Sequence, residues 1–346
     1  MNLQKNGENP PLSIRILPQN SRFFKTCNPL RYGVLSIEHH SNREGLNVEN
    51  MTALISIFAR AYHYRNNTEW VFADSLAEKM LTEKEYEEIS KSMSKGIDCF
   101  VPDFTGSQKT ALLFIVDHHL APSVLARSAF CERAIGNAIQ IGCRQIAVFA
   151  CGYDTFSVRT GNKTLAVFEL DKQEMIVNRQ NRIEQSGLRP VCQVKYVGCD
   201  LSMPSWSSAL LKAGFHPGEQ SFGSLLGISY YLSKEEFGNL LGGISSIWNE
   251  GSAVCFDYPL SEGGMESIRN QELAAAAGEQ MKAQYTCTEL ETLLSETGFL
   301  VYEHMNATDA SETFFARYNR KNPEHSMTAP SGVGYCLAVK KMISCP

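Results

Sequence analysis

Apolar positions along this chain change period several times, and each change marks an element. Ile146-Ala147-Val148-Phe149 is a short unbroken apolar run, the pattern of a parallel strand covered on both faces. Leu165-Ala166-Val167-Phe168 is a second such run and ends at Glu169 and Asp171. Val194 to Val197, Ser224 to Ser229 and Ser252 to Tyr258 supply a third, fourth and fifth strand. Between them the sequence turns polar and helical. Gln173 to Ser186 is closed by Gly187, and Ser205 to Ala213 ends at Gly214. Ser233 with Glu236 forms a capping box that opens a helix running through Leu241. Thr288 with Glu291 caps a further helix to Gly298. Leu300-Val301-Tyr302 and Gly334 to Val339 read as two late strands. This alternation predicts an α/β fold, a mostly parallel sheet with an antiparallel edge.

The chain before this region is different. Residues 1–48 carry Pro, Asn, Ser and Arg without periodicity and read as an irregular extension. From Val48 to Tyr64, Met51, Leu54, Ile55, Phe58, Ala59 and Tyr62 repeat at three and four, the apolar stripe of an amphipathic helix. Leu76 to Leu81 suits a second helix, and Thr82 with Glu85 caps a third. These elements make residues 49–122 a helical cover and residues 123–346 the main domain, with a polar, alanine-rich insertion around residues 259–287. Ala111 to His119 is apolar and ends in Asp117-His118-His119. Ser123 is placed to cap a helix from Val124 to Gly142. Arg127 then falls in the first turn, against the helix dipole. An anionic partner would explain that position, and so would a solvated surface arginine.

Composition narrows the partners. The 346 residues are 43% hydrophobic and 20% charged, an ordinary globular mixture. A net charge of −5 offers no electrostatic reason for nucleic acid or an anionic membrane as partner. The sequence has neither a long apolar span nor an apolar signal core at its start, so no membrane association is expected. The eleven cysteines are scattered, with no C-x-x-C pair and no zinc spacing, so no metal site is expected. An odd count without an export signal points to free thiols in a cytoplasmic protein. Cys151, in the turn after the first strand, is the one cysteine placed for a functional contact.

That turn carries the candidate chemistry. Cys151-Gly152-Tyr153-Asp154-Thr155 follows the first strand, and Asp171 ends the second, 19 residues after Gly152. Ligands of open α/β sheets bind beyond the carboxyl ends of the strands. A carboxylate there accepts both hydroxyls of a ribose. Asp200, past the third strand, stands at the same edge and competes with a capping role beside Ser202. A dinucleotide needs several glycines around its pyrophosphate. This turn has one glycine and an acid two residues on, which favours S-adenosylmethionine over NAD because it has no phosphate. An α/β unit with no cofactor stays open from these residues alone.

Taken together and in order, MTALISIFARAYHY, FADSLAEKML, LAPSVLARSAFCERAI, FACGYDTFSVR, FELDKQ, GCDL and LLGISYYLSKEE give the chain a specific likeness. It resembles the leucine carboxyl methyltransferase-like branch of the class I S-adenosylmethionine-dependent methyltransferases, over about Met51 to Asp257, and its bacterial members most. The resemblance implies a Rossmann-like seven-stranded sheet, mostly parallel with an antiparallel edge strand, under a helical N-terminal cover. It implies that Arg127 holds the cofactor's carboxylate, Gly152 lies beside the methionine part, Asp171 holds the ribose, and Asp200 and Leu201 flank the adenine. Two positions depart from the pattern. Ala150 stands where the family has its first loop glycine, and Leu226-Gly227 where protein-methylating members carry a glutamate. The second departure points to a small-molecule acceptor rather than a protein carboxylate.

Transfer from a sulfonium is an in-line displacement, so the enzyme positions and desolvates the acceptor oxygen. A carboxylate acceptor is already ionised, and a hydroxyl needs a base. His118, His119, Tyr231 and Tyr64 are candidates for acceptor contact, each with a packing or capping alternative. The function expected is O-methylation of a small molecule, with a role in natural-product biosynthesis. The alternatives are a cofactor-binding module without catalysis and methyl esterification of a protein carboxylate.

Overall fold

The structure, a computed structural model, describes residues 51–261 and 281–342. The extension expected over residues 1–48 and most of the insertion expected around 259–287 lie outside the described residues. The cover begins with α1 (Met51–Asn66), passes a single 3₁₀ turn at Ala77–Met80, and continues with α2 (Glu83–Lys95) and α3 (Gln108–Ile115). Thr82 caps α2 through a complete capping box with Glu85.

The helix carrying Arg127 departs from the sequence expectation. α3 runs through a π-helical turn, Val116–Leu120, directly into α4 (Ala121–Gln140). Ser123 lies inside α4 and caps nothing. Pro122, without an N–H, is tolerated beside the widened turn, where the regular ladder is already interrupted. Arg127 sits in the second turn of α4, and the upstream helix supplies carbonyls where a free N-terminus would leave bare N–H groups. The dipole penalty inferred from the sequence does not apply to it.

The main domain alternates as expected. β1 (Gln145–Phe149), α5 (Phe156–Arg159), β2 (Ala166–Asp171), α6 (Gln173–Gln185), β3 (Gln193–Gly198), α7 (Ser205–Lys212), β4 (Ser221–Leu225), α8 (Lys234–Ile247) and β5 (Ala253–Pro259) follow in order. After them come α9 (Cys287–Glu296), β6 (Phe299–Met305), the short α10 (Ala307–Ala310) and α11 (Ala316–Lys321), and β7 (Val333–Lys340). The capping box of α9 is Thr286 with Glu289, two residues before the expected pair. β4 ends at Leu225, four residues short of the expected Ser229. Gly227 at φ +71° turns the chain, and its N–H goes to the Asp257 side chain instead of a neighbouring strand.

The seven strands lie in the order β3-β2-β1-β4-β5-β7-β6. β1 to β5 are parallel, and β7 runs antiparallel between β5 and the edge strand β6. Alternate residues of β1 feed two apolar layers. Ile146 and Val148 join one with α1, α4 and α6; Ala147 and Phe149 join the other with α7, α8 and α9. The connections leave β1 in opposite directions towards β2 and β4, which puts the switch point, and the ligand crevice, at its C-terminal end.

Candidate cofactor site

The loop leaving β1 is the centre of this crevice. Ala150 has φ +48° and Gly152 φ +46°. A left-handed alanine costs roughly 1–2 kcal/mol, and here the chain accepts that cost where the resemblance led us to expect glycine. The loop is pinned at several points. Cys151 N–H reaches the Leu170 carbonyl at 3.0 Å, and Asp154 N–H reaches the Cys151 carbonyl at 2.8 Å. A Cβ added to Gly152 would come within 3.3 Å of the Ala53 side chain, so α1 lies directly over this residue. Cys151 is buried, and burial pushes its thiol well above the ordinary range, so it packs as an inert group.

Asp171 meets Gly152 across the loop. Its Oδ2 accepts from Gly152 N–H at 2.8 Å and its Oδ1 from Lys172 N–H at 2.8 Å. Each oxygen keeps a further lone pair, so the carboxylate can still take two ribose hydroxyls. Burial raises its pKa, and the two N–H groups oppose that shift. Asp200 is exposed one strand further on. Its Oδ1 accepts from Ser202 N–H at 2.9 Å and Ser202 Oγ–H at 2.7 Å, and these bonds hold its pKa below the usual value. These bonds close a turn inside the loop and do not cap α7, whose N-cap is Pro204, so the capping alternative for Asp200 does not hold; Oδ2 accepts nothing from the described residues. Leu201 packs beside it on the second apolar layer.

Sequence reasoning missed the groups that brace this loop. Glu169 and Arg179 form a fully buried pair, with Arg179 Nε donating to Glu169 Oε2 at 2.6 Å and a second, shorter bond beside it. Arg179 Nη1 also donates to the Gly152 carbonyl at 3.2 Å. Gly152 is therefore held by a carboxylate at its N–H and a guanidinium at its C=O. Above the loop, Arg60 of α1 donates to the Tyr153 carbonyl at 2.7 Å. Its Nε lies 3.1 Å from Asp74 Oδ2, a charge contact whose geometry makes no hydrogen bond. Asp74 is fully buried, accepts from Thr155 Oγ1 at 2.7 Å, and lies 3.3 Å from Arg159. Arg159 in turn makes a bidentate pair with Glu132 at 2.8 and 2.6 Å. The signal available was single charges inside apolar runs, Arg60 in MTALISIFARAYHY and Glu169 in LAVFELD.

Arg127 reaches the same edge from α4. Its Nη2 donates to Ser56 Oγ at 3.3 Å, and Nη1 lies 3.6 Å from Asp257 Oδ2. Burial lowers the pKa of this guanidinium, but Asp257, Tyr230 and Tyr231 outweigh it and the net shift is upward. Tyr231 is thus within electrostatic range of Arg127. The other candidates stand elsewhere on the cover. His118 is exposed, stacked on Phe114 at 4.5 Å, with Nδ1 3.0 Å from the Phe114 carbonyl. His119 stacks on Phe100 at 4.1 Å, and Tyr64 on Trp70 at 4.9 Å. Among the described residues, no cluster of three or more His, Cys, Asp or Glu could hold a metal ion, and no helix is long and apolar enough to cross a membrane.

The ends of the parallel strands thus bring Gly152, the Asp171 carboxylate and the Arg127 guanidinium to one edge of the sheet. Known proteins share the fold. The crystal structure of a duf574 family protein from Streptomyces avermitilis superposes with a TM-score of 0.53 at 13% identity, covering 85% of this chain and 100% of that one. The crystal structure of a protein from Thermobifida fusca, provisionally named a methyltransferase, gives 0.51 at 13% identity, over 73% of this chain and 95% of that one. In sequence, YktD of Bacillus subtilis, provisionally named an S-adenosyl-L-methionine-dependent methyltransferase, is 33% identical over 307 residues, 85% of this chain and 99% of its own. The leucine carboxyl methyltransferase family model matches residues 53–245. The chain is an S-adenosylmethionine-dependent methyltransferase and belongs to the leucine carboxyl methyltransferase family.

Proposed function

We propose that this methyltransferase transfers its methyl group to an oxygen of a small molecule, a carboxylate or a hydroxyl, in a cytoplasmic biosynthetic step. The observation that carries the reading is Gly227 beside Arg127. A Cβ at that position would lie 2.7 Å from Arg127 Nη1, so no side chain can project there towards a protein carboxylate without displacing the arginine. Arg127 holds the cofactor's carboxylate, Gly152 admits its methionine part, Asp171 takes the ribose hydroxyls, and Asp200 and Leu201 flank the adenine. When bound, the cofactor supplies an electrophilic methyl on a sulfonium. The chain supplies position and exclusion of water. Tyr231, whose hydroxyl acts on the Arg127 charge, is the first candidate for acceptor contact; His118, with its ring on Phe114, and His119, on Phe100, are the others.

The test is methyl transfer from labelled cofactor to panels of organic acids, phenols and alcohols. Alkali-labile label on the acids identifies a methyl ester, and alkali-stable label on the phenols or alcohols identifies an ether. Label transferred only to protein carboxyl termini overturns the small-molecule reading. Cofactor binding with no transfer to any acceptor supports a binding module instead.

A further inference from the structure

Asp257, near the end of β5, is a carboxylate at the crevice that the cofactor assignments do not use. It is fully buried. Oδ1 accepts from Gly227 N–H at 2.7 Å, Oδ2 accepts from Tyr230 O–H at 2.9 Å, and its backbone carbonyl accepts from Ser229 Oγ–H at 2.6 Å. The same Oδ2 lies 3.6 Å from Arg127 Nη1. A buried carboxylate needs a cation as well as hydrogen bonds, and Arg127 is the cation at hand. The dependence runs both ways. Apart from Asp257, the recorded hold on the guanidinium is Ser56 at 3.3 Å, a weak tether for a long flexible side chain. Gly227 completes the cradle: its N–H fixes Asp257, and its missing side chain leaves the volume that the guanidinium fills.

We propose that Asp257 is a positioning residue for Arg127, with the Gly227 turn and Tyr230 locking it in place, so that the guanidinium meets the cofactor's carboxylate in one fixed orientation. This rests on Arg127 binding that carboxylate. Asp257 also repels an incoming carboxylate, and positioning has to outweigh the repulsion for the proposal to hold.

The test compares binding of S-adenosylmethionine and of 5′-methylthioadenosine, which lacks the carboxylate, on folded wild type and variants. Asp257→Asn should weaken the cofactor about tenfold or more and leave the analogue unchanged. In an Arg127→Gln background the same change should add little, because the two residues act through one contact. Gly227→Ala pushes a Cβ into the guanidinium without altering any charge, at a cost in backbone strain because Gly227 sits at φ +71°; the folded variant should give the same selective loss, which covers the case of an Asp257 variant that does not fold. Unchanged or tighter cofactor binding, or equal loss for both ligands, overturns the assignment of Asp257. If Arg127→Gln itself fails to discriminate between the ligands, the carboxylate reading of Arg127 falls, and this inference with it.

Discussion

Asp171 and Gly152, 19 positions apart, are joined by a 2.8 Å bond from the glycine N–H to Oδ2 of the acid. The residue expected to bind the ribose is thus also a brace for the loop proposed to admit the methionine part. Asp171→Ala removes both duties. Cofactor binding should weaken by roughly 2–4 kcal/mol, measured by calorimetry, with the overall fold kept. Wild-type affinity in a folded variant would place the ribose contact elsewhere.

Arg127→Gln has a consequence for stability as well as for binding. It leaves the buried Asp257 carboxylate without its cation, and breaking such a pair typically costs about 3–5 kcal/mol. We expect the low end here, because Gly227 and Tyr230 still bond the acid, and urea unfolding at neutral pH should show it. A variant as stable as wild type would mean that Asp257 does not need the arginine's charge.

The Glu169–Arg179 pair predicts a different signature. Arg179→Met leaves a buried anion and frees the Gly152 carbonyl, so stability should drop by about 3–5 kcal/mol. Adding Glu169→Gln removes the charge and should restore a large part of the stability without restoring cofactor affinity, since Gly152 remains unbraced. Recovery of both together would show that the pair acts on the fold alone.

Asp117, in the π-helical turn, links stability to pH. Burial raises its pKa to about 7, and the His325 ring lies 4.0 Å from Oδ2. The folded state therefore holds a proton that the unfolded chain releases near pH 4. Stability should fall as pH rises from about 4 to 7 and then level off. His63 works in the opposite direction: burial lowers its pKa to about 4, so its contribution is lost as pH falls from about 6.5 towards 4. The two slopes overlap, so the check is a variant. Asp117→Asn should match wild type near pH 4 and exceed it at pH 8. No gain at pH 8 would show that the acid has found a compensating partner.

Much of the fold was legible because it rests on local periodicity. The runs at Ile146 and Leu165 became β1 and β2, and the capping boxes at Thr82 and Ser233 are complete in the structure. The errors fell where tertiary bonds override local pattern. Ser224 to Ser229 reads as a strand, but Asp257 captures Gly227 N–H and Ser229 Oγ–H and turns the chain early. Ser123 looks like a cap only if the helix starts there, and the π turn at Val116–Leu120 carries the helix straight past it. At the site, strand, turn and strand placed Gly152 and Asp171 at one edge of the sheet, while the hydrogen bond between them came only with the structure. The braces Arg60, Asp74, Glu169 and Arg179 come from distant segments, and no spacing rule brings them together.

The position of β7 bears on how the enzyme is made. Asp257 pairs in register with Tyr335 of β7, the last of the seven strands in sequence. While a ribosome is still synthesising residues before 333, β5 is an open sheet edge and the Arg127 cradle has no support on that side. The chain can lay down β1 to β5 in order as they emerge, but the crevice is finished only once β7 has been made. A nascent chain halted before β7 should neither retain cofactor nor resist protease at β5, and release of the last strand should confer both at once.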